Sequence, residues 1–244
     1  MPILTVVIPC YNESKNIPLL LLRFQEILES RKDKESIKND IELLLVNNGS
    51  SDSTEKILSE LIPDYYFARS INLKFNKGYG NGIIEGLKSA KSEYLGWTHA
   101  DLQTDMNDIF SSMEYIRQNN FSEKIFIKGV RKNRSFFDNI FSIGMSFFES
   151  LLFGLPIYEV NAQPNIFHYS LIDKFDDMPK DFSIDLYLYI CALRRRVKII
   201  RFNVDFPQRI YGSSKWNTGI KAKLKFILRT LVFSLRLKKR TFEK

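Results

Sequence analysis

Gly96-Trp97-Thr98-His99-Ala100-Asp101-Leu102-Gln103 is where an apolar run gives way to a polar cluster. The run itself, Tyr94 to Trp97, has the length and composition of a buried strand that stops where the polar residues begin. With the backbone extended past Thr98, His99, Asp101 and Gln103 fall at alternate positions and face the same way. A carboxylate beside an amide oxygen suits Mg²⁺ or Mn²⁺, hard cations that leave coordination sites for phosphate oxygens. Placement matters too, because open parallel sheets bind ligands beyond the carboxyl ends of their strands. An Asp after a strand is also an ordinary turn or helix-cap residue. The flanking sequence decides between the two.

Upstream, Ile3 to Ile8 is a continuous β-rich run of the kind buried on both faces. It ends at Pro9-Cys10-Tyr11-Asn12-Glu13 and leads into a helix carrying Leu19, Leu20, Leu22 and Phe24. The charged stretch from Arg31 to Asp40 reads as a solvated loop. Ile41 to Val46 repeats the buried strand, and Asn47-Asn48-Gly49-Ser50-Ser51-Asp52 is a turn before a helix. Asp52 and Glu55 have capping-box spacing there, with Ile57, Leu58 and Leu61 on the apolar side. Tyr66 to Leu73 predicts a third strand, and the Gly-rich Asn76-Lys77-Gly78-Tyr79-Gly80-Asn81-Gly82 leads to a helix over Ile83 to Ala90. Downstream come a helix over Met106 to Gln118 and a strand over Ile125 to Val130. This alternation predicts a doubly wound α/β sheet with a largely parallel core. Beyond it, Phe136 to Phe153 is densely apolar but interrupted by Asp138 and Glu149. Asp181 to Arg196 fits a helix with Asp185 near its start, Val197 to Val204 a strand, and the basic tail a closing helix.

The hydrophobic fraction of 44% supports a sizeable core in 244 residues. Cys10 and Cys191 sit in apolar runs and form no disulfide framework, which fits a reducing compartment. Met1-Pro2-Ile3-Leu4 has no basic region before its apolar run, so a secretory signal is not expected. With no 18-residue apolar stretch, no membrane span is expected either. The charge is uneven. Lys215 to Lys244 holds ten Lys or Arg against Glu243 alone, or +9, while the other 26 basic and 27 acidic residues give −1, recovering the net +8. Ile220, Leu224, Ile227, Leu228, Leu231 and Leu235 follow helical spacing in this tail, with Lys221, Lys225, Arg229 and Arg236 beside them. Such a helix suits an anionic membrane surface, or its stripe packs on the body of the protein. No nucleic-acid reader motif accompanies the charge. The expected organisation is one domain over residues 1–216 and a basic amphipathic helix over 217–244.

The order Val7-Ile8-Pro9-Cys10-Tyr11-Asn12-Glu13, Val46 to Asp52, Asn76 to Gly80 and His99-Ala100-Asp101-Leu102-Gln103 resembles family 2 glycosyltransferases of the GT-A fold. It is most similar to the branch that makes polyprenyl-phosphate sugars, such as dolichyl-phosphate mannose and glucose synthases. Arg209-Ile210-Tyr211-Gly212-Ser213-Ser214-Lys215 matches that branch's Arg-x-x-Gly-x-Ser-Lys run. The resemblance implies a mostly parallel, Rossmann-like sheet flanked by helices. It also implies an inverting enzyme that takes a sugar from a nucleotide-sugar donor, with Mn²⁺ or Mg²⁺, to a polyprenyl-phosphate acceptor at a cytoplasmic membrane face. Carried over by position, Pro9, Tyr11, Glu13 and Asn48 line the base pocket, and Lys77 and Gly78 belong to the donor site. Asp101, assisted by Gln103 and His99, takes the metal, and Arg209 and Lys215 hold phosphates.

This sequence departs from the family pattern at several places. His99 stands where the family has Asp, and neutral imidazole suits Mn²⁺ better than Mg²⁺; His99 also fits a loop hydrogen bond. Asn47-Asn48 replaces a pair of Asp. No counterpart of the C-terminal transmembrane helices of some members is expected. Asp185 falls where relatives carry an acidic residue near the acceptor, and it equally fits a helix N-terminus. A saccharide-hydroxyl acceptor needs a general base, for which Asp185 is the candidate; a lipid phosphate needs only cations. Two further readings therefore stand beside the lipid-phosphate one. They are a soluble glycosyltransferase acting on a glycan hydroxyl, and a catalytically weakened nucleotide-sugar-binding protein.

Overall fold

The apolar runs become strands where both faces are covered, and the stretches between them become helices with one apolar side. The computed structural model describes residues 1–132, 136–207, 209–211 and 220–242, except for the side chains of 136–141, 220–227 and 240–242. In chain order the elements are β1 (Leu4–Cys10), α1 (Ile17–Ser30), α2 (Lys34–Ile37), β2 (Ile41–Asn48), α3 (Thr54–Leu61), β3 (Ala68–Leu73), α4 (Tyr79–Ser89), β4 (Tyr94–Trp97), α5 (Asn107–Gln118), β5 (Ile125–Arg131), α6 (Phe136–Phe153), β6 (Asn165–His168), α7 (Ile184–Arg194), β7 (Lys198–Val204) and α8 (Ile220–Phe242). The seven strands form one sheet in the order β3-β2-β1-β4-β6-β5-β7. All are parallel except β6, which runs antiparallel to both β4 and β5. The predicted α/β sheet is present. β6 is the strand that its four residues, Asn165-Ile166-Phe167-His168, did not announce.

Alternation along the strands divides the core in two. Leu4, Val6, Ile8, Leu43 and Leu45 face α1 and α5, whose Phe24, Phe110 and Met113 are buried against them. Val7, Leu44, Val46, Trp97 and Phe126 face α4 and α7 on the other side. In α1 the buried set is Ile17, Leu20, Leu21, Phe24 and Leu28, and Leu22 is exposed. The stretch from Arg31 to Asp40 is not a free loop. It contains α2, and Arg31 pairs with Asp33 and Glu114 while Arg117 pairs with Asp40. Nor does a capping box form before α3: Ser53 is the N-cap without a side-chain bond, and Asp52 instead accepts from the Thr54 amide and hydroxyl.

The sheet leaves no room beneath its central strands. A Cβ built on Gly96 of β4 would lie 2.3 Å from Ile166 Cδ1 and 2.4 Å from the Asn165 carbonyl oxygen. Gly96→Ala is therefore expected to destabilise by about 1–3 kcal/mol, the usual cost of overpacking, because one of the two atoms is backbone. Thermal or urea melts read this directly. An unchanged melting point would mean that β6 does not press on β4 as described.

Candidate active site

β1 and β4 are neighbours at the point where the strand order reverses direction, and the crevice beyond their carboxyl ends is the site such sheets offer to ligands. Its first wall is built by Asn12, held at φ 59°, an Asn-tolerated left-handed conformation. Asn12 Oδ1 accepts from the Ser51 amide at 2.8 Å, and its own amide donates to Ser50 Oγ. This ties the loop after β1 to the loop after β2. Next to it, burial raises the pKa of Glu13. A hydrogen bond from Asn16 opposes that rise, Asp101 adds to it and Arg209 opposes it, so all three charged groups share one field. Pro9 is half-buried at the end of β1, while Tyr11 and Lys77 are exposed.

Asn48 is the last residue of β2 and is buried. Its Nδ2 donates to the Gly78 carbonyl at 3.0 Å, and its Oδ1 meets no donor among the described residues. Gly78 has φ 113°, and a Cβ there would lie 2.5 Å from the Lys180 carbonyl oxygen. The Gly-rich stretch therefore lets the start of α4 press against the backbone of residues 179–181, with Asn81 N–H bonded to Lys180 O.

His99, Asp101 and Gln103 do not lie along an extended chain. β4 ends at Trp97, and Leu102 turns the backbone at φ 59°. Asp101 Oδ1 accepts from the Gln103 amide at 3.2 Å, as in an Asx turn. Asp101 and Gln103 nevertheless converge, because both grip Arg209. Its Nη2 lies 2.8 Å from Asp101 Oδ2, its Nε donates to Gln103 Oε1 at 3.0 Å, and Gln103 Nε2 donates to Pro207 O. A carboxylate and an amide oxygen thus already hold one positive group. That is the donor chemistry a hard divalent cation takes. Among the described residues no group of three or more His, Cys, Asp or Glu could hold a metal ion by itself.

Behind this lies a cavity between α4, α6, α7 and α8, lined by Tyr79, His99, Arg131, Phe182, Asp185 and Arg229 among others. Tyr79 stacks on Phe182 at 4.9 Å, and His99 lies 5.9 Å from the Tyr79 ring. Burial raises the Tyr79 phenol well above its usual range, with Asp185 and Asp101 adding to it. Asp185 is 4% exposed. Its Oδ1 accepts three hydrogen bonds, from Trp97 Nε1 at 3.0 Å, Gln163 Nε2 at 2.8 Å and Asn165 Nδ2 at 2.7 Å. Glu149 of α6 lines the same cavity, and burial lifts its pKa to about 7.

The profile of glycosyl transferase family 2 matches residues 5–148, more than half of the sequence. The chain belongs to that family. A dolichyl-phosphate β-glucosyltransferase of Dictyostelium discoideum is 28% identical over 163 residues, 61% of this chain and 49% of that protein. This chain therefore spans about half the length of that relative. Among solved structures, a mannosyltransferase of Pyrobaculum calidifontis in complex with GDP-Man and Mn²⁺ superposes at a TM-score of 0.64. It is 18% identical, and the match covers 96% of this chain and 64% of that one. A glucosyl-3-phosphoglycerate synthase of Mycobacterium tuberculosis, in complex with Mn²⁺, UDP-glucose and phosphoglyceric acid, gives 0.65 at 14% identity, covering 100% and 81%. These likenesses establish the GT-A-type fold.

In this family 2 frame the structure brings Glu13, Asp101, Gln103 and Arg209 together, and places His99 and Asp185 in the adjoining cavity. Lys215 lies outside the described residues, as do residues 212–214 of the same run. Sequence reading did not single out Gln163, Asn165, Arg131 or Lys128. One signal was present for Lys128, a lone cation inside the apolar run Ile125 to Val130.

Proposed function

We propose that this chain is an inverting glycosyltransferase that moves a sugar from a nucleoside-diphosphate donor to an acceptor hydroxyl, with Asp185 as the general base. The observation that carries this is the state of Asp185. Three donors fix one carboxylate oxygen, no donor among the described residues reaches the other, and the group lines the cavity. A hydroxyl must lose its proton as it attacks, and a positioned carboxylate takes it. Glu13, Pro9, Tyr11 and Asn48 flank the base end of the donor site, with Lys77 and Gly78 at its edge. Asp101 and Gln103 would hold Mn²⁺ or Mg²⁺, with His99 a further candidate ligand. Bound there, the metal supplies a Lewis acid for the departing diphosphate. Arg209, once released from Asp101, is placed to grip phosphate oxygens in a fork. Lys215 is assigned the same work from its sequence match.

A second reading, transfer to a polyprenyl phosphate at a membrane face, is favoured by one feature. Ile143, Phe147 and Leu151 of α6 and Leu228, Val232 and Leu235 of α8 are exposed large apolar side chains, Phe147 at 66%. The two helices pack on one another, and Arg236 and Lys239 are exposed on α8. The predicted α8 stripe is therefore split. Leu228 and Leu235 face outward and Leu231 is half-buried, whereas Ser234 and Leu237 supply the buried side. The side chains of Ile220, Leu224 and Ile227 lie outside those described. The 1–216 and 217–244 division is retained as a proposal, with α8 as the surface-binding part. No helix among the described residues is long and apolar enough to cross a membrane.

Incubating the full chain with UDP- and GDP-sugars and Mn²⁺ separates the readings when acceptors are supplied in two arms. One arm holds hydroxyl acceptors such as phosphoglyceric acid and oligosaccharides, and the other holds polyprenyl phosphate in detergent. Product in the first arm alone supports the hydroxyl reading, and product in the second alone overturns it. For the surface, co-sedimentation with anionic but not neutral liposomes is expected, weakened by salt, since each engaged Lys or Arg contributes about 1 kcal/mol. Phe147→Glu and Leu228→Glu should each weaken it. Equal binding by both variants would remove the α6–α8 ridge from the surface that docks.

A further inference from the structure

Lys128 stands at the centre of β5 and is 0% exposed. Lysine is almost never fully buried without an anionic partner, yet no carboxylate among the described residues pairs with it. Its ammonium instead donates to three neutral acceptors, the Val160 carbonyl at 2.5 Å, the Ala162 carbonyl at 2.9 Å and Asn165 Oδ1 at 2.7 Å. Burial brings its pKa down to about 7, with Arg201 and Arg131 pushing the same way and Asp185 and Glu159 opposing.

In its protonated form, which prevails below pH about 7, Lys128 can only donate. Facing Lys128, Asn165 must present its carbonyl oxygen, so its NH₂ points the other way. That NH₂ donates to Gln163 Oε1 at 2.9 Å and to Asp185 Oδ1 at 2.7 Å. Gln163, forced to accept, then turns its own NH₂ to the same Asp185 oxygen at 2.8 Å. One cation thus sets two amide orientations, and both converge on Oδ1. The sheet holds the row in register: Asn165 of β6 pairs with Trp97 of β4 on one side and Lys128 of β5 on the other. Trp97 supplies the third donor to Oδ1.

We propose that Lys128 is a positioning residue for Asp185. Through Asn165 and Gln163 it decides that Oδ1 is the anchored oxygen and Oδ2 the one left for the cavity. The inference rests on the reading of Asp185 as the base. Tyr79, His99, Arg131, Glu149 and Arg229 are the other titratable groups around that cavity, and none of them donates to Oδ1.

The test reads the anchor itself in the ligand-free full chain. The protein has two tryptophans, Trp97 and Trp216, so ¹⁵N-labelled indoles give two signals, assigned with Trp216→Phe. In Lys128→Met the Trp97 indole N–H is expected to exchange with solvent about two- to tenfold faster, the loss of one hydrogen bond's net stabilisation. Its resonance should move toward that of Asp185→Ala, which has no side-chain oxygen to accept from the indole, while β1 and β2 amides stay protected. If Lys128→Met does not fold, Lys128→Gln, which keeps an amide donor without the charge, takes its place in the same measurement. An unmoved indole signal overturns the proposal. Faster exchange of β5 and β7 amides with the indole unchanged makes Lys128 a clasp for the Val160–Ala162 segment only. Transfer kinetics then separate the two ideas. Lys128→Met should lower kcat with donor KM unchanged, and should cost nothing further in the Asp185→Asn background. Additive losses overturn the positioning role; an Asp185→Asn variant as fast as wild type overturns the base assignment instead.

Discussion

Replacing Asp185 by Asn is expected to slow transfer to a hydroxyl acceptor about 10²–10⁴-fold in kcat, the contribution of a positioned general base, with donor affinity unchanged. The substitution keeps the side chain's shape, and its carbonyl oxygen can still meet the three donors that now reach Oδ1. What it removes is the second oxygen's capacity to take a proton. The fold should therefore survive, and the Trp97 indole remains a sensitive report on that. Steady-state kinetics with calorimetric titration of the donor separate chemistry from binding. A polyprenyl phosphate arrives already anionic, so a loss below about tenfold, with donor binding intact, would give the lipid-phosphate reading the stronger claim.

The second large effect is expected at Asp101. Asp101→Asn should remove the Mn²⁺-dependent part of nucleotide-sugar binding, because it takes away the carboxylate that holds Arg209 together with Gln103. Even outer-shell partners of a metal site are worth about 10–100-fold in metal affinity, so a direct ligand should cost at least that. Titrating UDP- or GDP-sugar with and without Mn²⁺ measures it. Undiminished metal dependence in the variant would move the site elsewhere. Arg209 would also lose its ion partner, and metal-independent binding of the nucleotide can rise as a result.

The sheet was legible because buried strands announce themselves as uninterrupted apolar runs, and Ile3 to Ile8, Ile41 to Val46 and Tyr94 to Trp97 are such runs. β6 was not, because four residues carrying an Asn and a His are too few and too polar to show a period. With β6 unseen, Asn165 and Gln163 had no assigned place beside Asp185. Of the proposed metal-side residues, Asp101 and Gln103 were legible as neighbours but their geometry was not. Alternation along an extended chain brought His99, Asp101 and Gln103 together on paper, whereas the fold turns at Leu102 and gathers Asp101 and Gln103 around Arg209 from 106 residues downstream of Gln103. Asp185 carried two meanings in the sequence: the helix-terminus one holds, since it lies in the first turn of α7, while its place on the cavity wall supports the base role as a proposal. Lys128 could be seen as an anomaly in its strand, but its three acceptors come from residues 32 to 37 positions away, which no local pattern reveals.

The grip of Asp101 and Gln103 on Arg209 has a consequence for how the donor is captured. Arg209 already occupies these oxygens, so if Asp101 and Gln103 take the metal as proposed, it competes with part of the chain. Its apparent affinity is the intrinsic affinity multiplied by the fraction of molecules in which Arg209 has let go. If about one molecule in a hundred is open, binding weakens about a hundredfold. A metal ion alone leaves the displaced guanidinium with nothing to hold. A nucleoside diphosphate arriving with it supplies phosphate oxygens for the freed fork and offsets the cost of opening. By reciprocity each ligand would then tighten the other, and the proposed site would fill with metal and nucleotide as a pair.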